Sequence, residues 1–152
     1  MKDFHKSSSH VQMYAEEEIF GKVEELINIK LEKNKKIYLA DNAFTYIQPD
    51  FYSEENRIIG EIFAHIGKPK KAQDNKIAND ILKMLLLEKI TGNQYRKIIA
   101  ICDESEEKKL LGQSALAEGI RQFGIEIMYV DIDEGTKKQI LEAQKLQKMT
   151  NA

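Results

Sequence analysis

Cysteine, sequence repeats, long apolar runs and an excess of positive charge are all scarce or missing in this chain. Cys102 is the one cysteine among 152 residues, which excludes an internal disulfide and any multi-cysteine zinc centre. Its neighbours Ile99, Ala100 and Ile101 are apolar, so a buried core thiol in a reducing compartment is expected. No apolar run approaches the roughly 18 residues that a membrane span needs, and no charged-then-apolar leader opens the chain. The expectation is a cytoplasmic protein with no membrane partner. A formal net charge of −2 argues against an unspecific polycationic binder, although a local basic patch can still hold a phosphate backbone. No internal repeat, linker or glycine-rich phosphate loop is visible.

What is present fits one soluble α/β domain. Hydrophobic residues make up 42% and charged ones 32% of the chain, enough for a domain of this length to bury about two-thirds of its surface. The polar, serine-rich residues 1–8 read as a flexible arm, leaving 9–152 as a single domain. Ser9 followed by Gln12 resembles a capping box that opens a helix to about Glu32, with Ile19, Phe20, Val23, Leu26 and Ile27 facing a sheet. Glu16 lies one turn before Phe20 on that stripe, where a carboxylate is costly unless an opening or a cation is near. The alternative is a solvated residue of the Glu16-Glu17-Glu18 run.

Residues 37–40, 43–52 and 57–66 read as a three-stranded meander whose first turn is Asp41-Asn42. Pro69 near the start and Gly92 past the end bracket a helix with Ile77, Ile81, Met84, Leu85 and Leu86 on its apolar face. Residues 97–103 form a nearly continuous apolar run typical of a central strand. A helix over 106–123, with Leu110, Leu111, Leu116, Ala117 and Ile120 inward, leads through Gly124 to a strand over 125–132. Strand, helix and strand in this order imply a parallel pair with a right-handed crossover. Thr136 followed by Gln139 caps a last helix, whose Ile140, Leu141, Leu146 and Met149 pack on the body or on a second subunit.

The stretch 46–68 carries the chemistry. Two short strands flank Ser53-Glu54-Glu55-Asn56, which has turn composition. With those four residues as the loop, Tyr52 faces Arg57, Asp50 falls opposite Ile59 and Gln48 opposite Glu61. Asp50 and Glu61 then share one face as diagonal neighbours roughly 7–8 Å apart, a spacing suited to gripping one divalent ion. A loop of three or five residues would separate them onto opposite faces. The alternative is that both are ordinary exposed strand acids. Glu61 carries more weight, because Ile58, Ile59, Ile62, Phe63 and Ala64 make its strand look buried, and a buried acid wants a partner.

Pro49-Asp50, ten intervening residues, and Glu61-Ile62-Phe63 resemble the PD-(D/E)XK nuclease signature, with Phe63 standing where the motif has lysine. The resemblance covers about residues 10–131. It implies a restriction-endonuclease-like core of helix, three-stranded meander, helix and strand, here followed by a further helix and strand, in a mixed sheet of about five strands flanked by helices. It also implies a Mg2+- or Mn2+-dependent nuclease acting on DNA rather than RNA, with the ion on Asp50 and Glu61 and Glu16 as a further ligand from the first helix. In place of the lysine, His65 or Lys68 would orient the attacking water. Relatives often aim a glutamine or a migrated lysine at the site from the second helix, which brings in Gln73 and Lys76, although Lys76 is expected to point further toward solvent. Lys70, Lys71 and Lys76 would contact the nucleic-acid backbone, and a homodimer would let so small a domain reach both strands.

Two other readings compete. A member of the same fold that has lost catalysis would bind nucleic acid or a protein, as the loss of the motif lysine favours. A small-molecule-binding α/β domain would instead use Asp103 and Asp131 at strand ends.

Overall fold

The runs Ile58–Phe63 and Arg96–Ile101 are buried along nearly their whole length, as central strands covered by helices on both faces must be. The computed structural model describes residues 8–39 and 44–150. In chain order the elements are α1 (Ser8–Ile27), β1 (Glu32–Lys33), β2 (Ile37–Tyr38), β3 (Tyr46–Ile47), β4 (Phe51–Ser53), β5 (Ile58–Phe63) and α2 (Lys71–Thr91), then β6 (Arg96–Ile101), α3 (Glu104–Leu110), α4 (Ala115–Gln122), β7 (Ile125–Tyr129) and α5 (Glu134–Thr150). Five strands form a mixed sheet in the order β1-β4-β5-β6-β7, antiparallel from β1 to β5 and parallel from β5 to β7. The α/β class and the five-stranded mixed sheet agree with the sequence.

Alternation along the strands divides the core in two. Ile58, Ile62, Ile98 and Ala100 pack with Ala15, Ile19 and Val23 of α1 and Ile140 of α5. Ile59, Phe63, Ile99 and Ile101 face the other way, onto Ile77, Ile81, Met84 and Leu87 of α2 and the α3–α4 pair. The two helical layers are thus set by the period of two in β5 and β6. On α1, Leu26 is 62% exposed, so the inward stripe is Val11, Ala15, Ile19 and Val23 rather than one reaching Leu26. Among the described residues no helix is long and apolar enough to cross a membrane.

Several boundaries differ from the sequence reading, each for a local reason. α1 ends at Ile27 rather than near Glu32, because Asn28 turns left-handed (φ 55) and the Leu31 N–H donates to the Glu24 carboxylate at 2.7 Å. The meander is split. Pro49, which has no N–H to give a ladder, separates β3 from β4, and β3 pairs with β2 in a small hairpin apart from the main sheet. The first strand of the main sheet is therefore β1, pairing Glu32 with Tyr52 and Lys33 with Phe51. The turn expected at Asp41-Asn42, and the arm over residues 1–7, lie outside the described residues; Ser8 opens α1.

The helix expected over 106–123 is two. Ser114 accepts from the Ala117 N–H at 3.0 Å and starts α4 afresh, while Arg121 donates to the Gly112 carbonyl at 2.7 Å. Leu111, expected in the core, is 53% exposed at the break. β7 stops at Tyr129. Thr136 does not cap α5, which begins two residues earlier. A side chain of α1 does that work: the Glu18 carboxylate accepts from the Asp133 N–H at 2.8 Å and from the Thr136 hydroxyl at 2.5 Å. Leu141, Leu146 and Met149 of α5 are 43%, 62% and 74% exposed, so of that expected apolar set Ile140 alone joins the core.

Candidate active site and adjoining basic groove

The hairpin that carries the acids has its loop at Glu54 to Arg57, with Arg57 left-handed (φ 53), since Ser53 pairs with Ile58, Tyr52 with Ile59 and Phe51 with Gly60. The expected register is therefore off by two residues. A two-residue slip preserves the face, and it improves the geometry: continued one step, the ladder sets Asp50 directly opposite Glu61 rather than diagonal to it. Gly60 permits the close pairing, because the Phe51 ring lies over it and a Cβ there would meet Phe51 Cζ at 2.0 Å.

Asp50 stands at a corner of the sheet. β1 ends at Lys33, and Asn34 beyond it turns left-handed (φ 54) while its N–H still reaches the Asp50 carbonyl at 3.3 Å. On the other side Ile62 lies past the last paired residue of β4, and its N–H donates to Asp50 Oδ2 at 2.7 Å. The broken strand thus gives a carboxylate held by a backbone amide next to Glu61. A concavity of about 100 Å³ opens here from the α1 side, lined by Glu16, Glu17, Phe20, Lys33, Asn34 and Asp50 among others.

From the opposite layer α2 supplies two further groups. Asp80 is buried at 7% exposure and accepts from Lys76 Nζ at 3.1 Å. The stem of Lys76 is exposed, but its ammonium turns back into the acid cluster instead of pointing to solvent. Burial alone would lower the Lys76 pKa; Asp80, then Asp50 and Glu61, outweigh it and hold the pKa above its ordinary value.

Glu61 is the most perturbed of the acids. Burial, then the charges of Asp50 and Asp80 and a hydrogen bond with Asp50, push its pKa up to about 9, against a smaller lowering by Lys76. Burial likewise raises Asp80, with Lys76 opposing. Glu16 is raised by burial and by Asp50, while a hydrogen bond from Gln12 at 2.9 Å lowers it. Asp50, Glu61, Asp80 and Glu16 therefore share one field with one ammonium among them. Among the described residues no three His, Cys, Asp or Glu side chains converge as a ready ligand set; the close pair is Asp50 and Glu61.

The remaining expected residues gather elsewhere. His65 does not continue the β5 face, because the strand ends at Phe63; its ring stacks on Phe63 at 5.8 Å between centroids and its Nδ1 is buried with no partner among the described residues. Burial, then Lys70, lowers its pKa, and Asp103 opposes them. Gln73 caps α2, its side-chain carbonyl accepting from the Lys70 N–H at 2.8 Å. His65, Lys68, Lys70 and Gln73 line a groove of about 690 Å³ whose other wall is α5. Lys71 is exposed at the start of α2 and does not line it. Cys102 is buried at 1% exposure, as expected, and burial pushes its thiol up to about 12. Asp103 caps α3 through the Glu106 N–H at 3.2 Å, and Asp131 lies exposed within 3.5 Å of Lys137.

Asp80 was legible and missed. Ile77, Asp80, Ile81 and Met84 follow the i, i+3, i+4, i+7 pattern of one helix face, so an acid fell in the middle of an apolar stripe, with a lysine one turn before it. Comparison of the chain with protein-family models, with curated proteins and with solved structures gave no match.

Proposed function

We propose that this protein is a metal-dependent nuclease of the PD-(D/E)XK type that hydrolyses phosphodiester bonds in DNA. The observation that carries the reading is the pairing of Asp50 and Glu61 across a broken hairpin, in a cluster where carboxylates outnumber cations. The donor set suits a hard cation: Mg2+ is commonly held by one or two carboxylates while keeping several waters, so a close pair is sufficient. Asp50 and Glu61 would hold Mg2+ or Mn2+, with Glu16 facing the same corner. Such an ion supplies a bound water of lowered pKa and offsets charge on the phosphate.

The residues of the chain supply the rest. Asp50 is aimed by the Ile62 N–H, and Glu61, hydrogen-bonded to Asp50, would release its proton to solvent on becoming a ligand. Phe63, where the motif has lysine, is packed into the α2-side core at 6% exposure. Lys76 takes over that charge from the neighbouring helix, the migrated-lysine arrangement that the resemblance allows, in preference to His65 or Lys68. Its ammonium would steady anionic oxygens of the substrate, and Asp80 acts as its positioning residue.

The test is cleavage of plasmid, single-stranded and branched DNA in Mg2+ and in Mn2+, with a chelator control and the Asp50→Ala, Glu61→Ala and Lys76→Ala variants. Cleavage should vanish with the chelator and with either acid variant, and fall by at least tenfold in Lys76→Ala. Activity that survives both acid substitutions refutes the site. The commitment of Phe63 to the core also favours a second reading, a nucleic-acid-binding module without catalysis; stable variants and parent that bind DNA but never cut it would establish that instead.

A further inference from the structure

The groove between the 65–70 turn and α5 is built on fixed walls. Gln144 of α5 clasps the turn through both halves of its amide, accepting from the Ile66 N–H at 3.1 Å and donating to the Ile66 carbonyl at 2.8 Å. Gly67, at φ 97, makes the bend, and the Ser105 hydroxyl holds its carbonyl at 3.2 Å. Lys68 and Lys70 stand on one wall, Lys145 and Lys148 on the other, and among the described residues no acid lines the space.

These four ammonium groups differ from seven other lysines of this chain. Lys22, Lys33, Lys35, Lys76, Lys97, Lys109 and Lys137 each lie within 4.0 Å of a carboxylate, whereas none of Lys68, Lys70, Lys145 and Lys148 is paired among the described residues. A chain of net charge −2 thus brings four unpaired ammonium groups to one groove. Gln144, Gln147 and Lys148 fall at i, i+3 and i+4, so one face of α5 presents polar groups to it.

We propose that this groove binds the phosphodiester backbone of a nucleic-acid strand, with Lys145 and Lys148 of α5 forming half of the contact, and that it does so without a divalent ion. The proposal extends the nuclease reading by naming where flanking phosphates sit, but binding here does not require hydrolysis. Phosphate contacts of this kind position a strand and read no sequence. They also carry a quantitative signature, because each contact on a single strand adds about 0.7 to the slope of log affinity against log salt.

The experiment is fluorescence anisotropy of a short labelled single-stranded oligodeoxynucleotide with the full chain in excess chelator, from 50 to 200 mM salt. Four contacts give a slope of about −2.8, a loss near fifty-fold over that range, and Lys145→Ala/Lys148→Ala should reduce it to about −1.4, or roughly seven-fold. Lys30→Ala/Lys89→Ala, which makes the same change in net charge at exposed lysines outside the groove, should bind like the parent. Equal weakening by both double variants, or none by the groove variant, overturns the proposal. So does displacement of the oligonucleotide by poly-glutamate at equal charge concentration. Binding with these slopes but no cleavage under any metal leaves the groove standing and refutes the hydrolytic reading; cleavage and binding indifferent to Lys145 and Lys148 do the reverse.

Discussion

Replacing Glu61 by glutamine should stabilise the metal-free protein, and the gain should grow with pH. In the folded chain the carboxyl titrates at about 9 instead of 4.5, because it is 9% exposed and faces Asp50 and Asp80. A raised pKa means that the folded state binds the proton more tightly than the unfolded one. The associated stability is complete below about 4.5 and is lost progressively as the pH rises toward 9. At about 1.36 kcal/mol per pKa unit, the 2.5 units between 4.5 and neutrality amount to roughly 3 kcal/mol lost by pH 7. Glu61→Gln cannot ionise, and its amide can still donate to Asp50. Urea denaturation of both proteins in chelator should therefore give similar stabilities near pH 4.5 and a gap of about 3 kcal/mol in favour of the variant at pH 7, widening above it. Magnesium should narrow the gap by stabilising the parent alone, since a cation bound to the ionised carboxylate favours the folded state by mass action. A variant that is less stable at every pH, or a gap that does not change with pH, would refute the account of Glu61 as a carboxyl kept neutral by burial and by its acid neighbours.

Two further substitutions probe the frame around the site. Gly60→Ala places a methyl 2.0 Å from Phe51 Cζ, so the ring must move; a loss of about 1–3 kcal/mol in thermal or urea unfolding is expected, together with reduced cleavage as Asp50 shifts with its strand. An unchanged melting temperature would show that the ring has room to yield. Glu106 is 1% exposed with neither carboxylate oxygen partnered among the described residues, and burial raises its pKa above the ordinary value. Glu106→Met should stabilise the protein by about 1–3 kcal/mol, more at pH 8 than at pH 5 because the parent's penalty sets in above 4.5; destabilisation at pH 8 would contradict it.

The sequence disclosed α1, α2, α5 and the central strands, because their signals are long and periodic. β5, β6, α2 and the order of elements around them follow directly from apolar runs and from the Pro69 and Gly92 boundaries. What escaped was decided by single residues competing with the pattern. Pro49 divided a ten-residue strand expectation into two pieces bound to different partners, and Ser114 restarted a helix whose apolar spacing ran on without a break. Thr136 has the composition of a cap but is occupied by Glu18, more than a hundred positions earlier in the chain, a partner that no local rule could supply. At the candidate site the parity of the hairpin was readable and the register was not, since turn composition fits two loops offset by one residue and each such offset moves the pairing by two. Lys145 and Lys148 carried no local mark at all. Their meaning comes from Gln144 fastening α5 to the 65–70 turn.

Helix α2 ties the two candidate regions together. Gln73 borders the groove, while Lys76 and Asp80 belong to the acid corner, and the seven residues from 73 to 80 span roughly 10 Å along a helix axis. Phosphates seated in the groove would thus lie beside a cluster whose carboxylates repel them, and Lys76, already spent on Asp80, offsets only part of that charge. On the proposed reading a strand crossing from groove to corner would require an added cation to complete the path, whereas a strand resting in the groove would not. The two proposed functions are then separable by experiment: chelation should abolish cleavage and leave binding intact, while removal of Lys145 and Lys148 should weaken binding and leave cleavage at saturating substrate near the parental rate. If chelation instead released the oligonucleotide, the cation would belong to the binding step itself and the groove would not suffice to hold a strand.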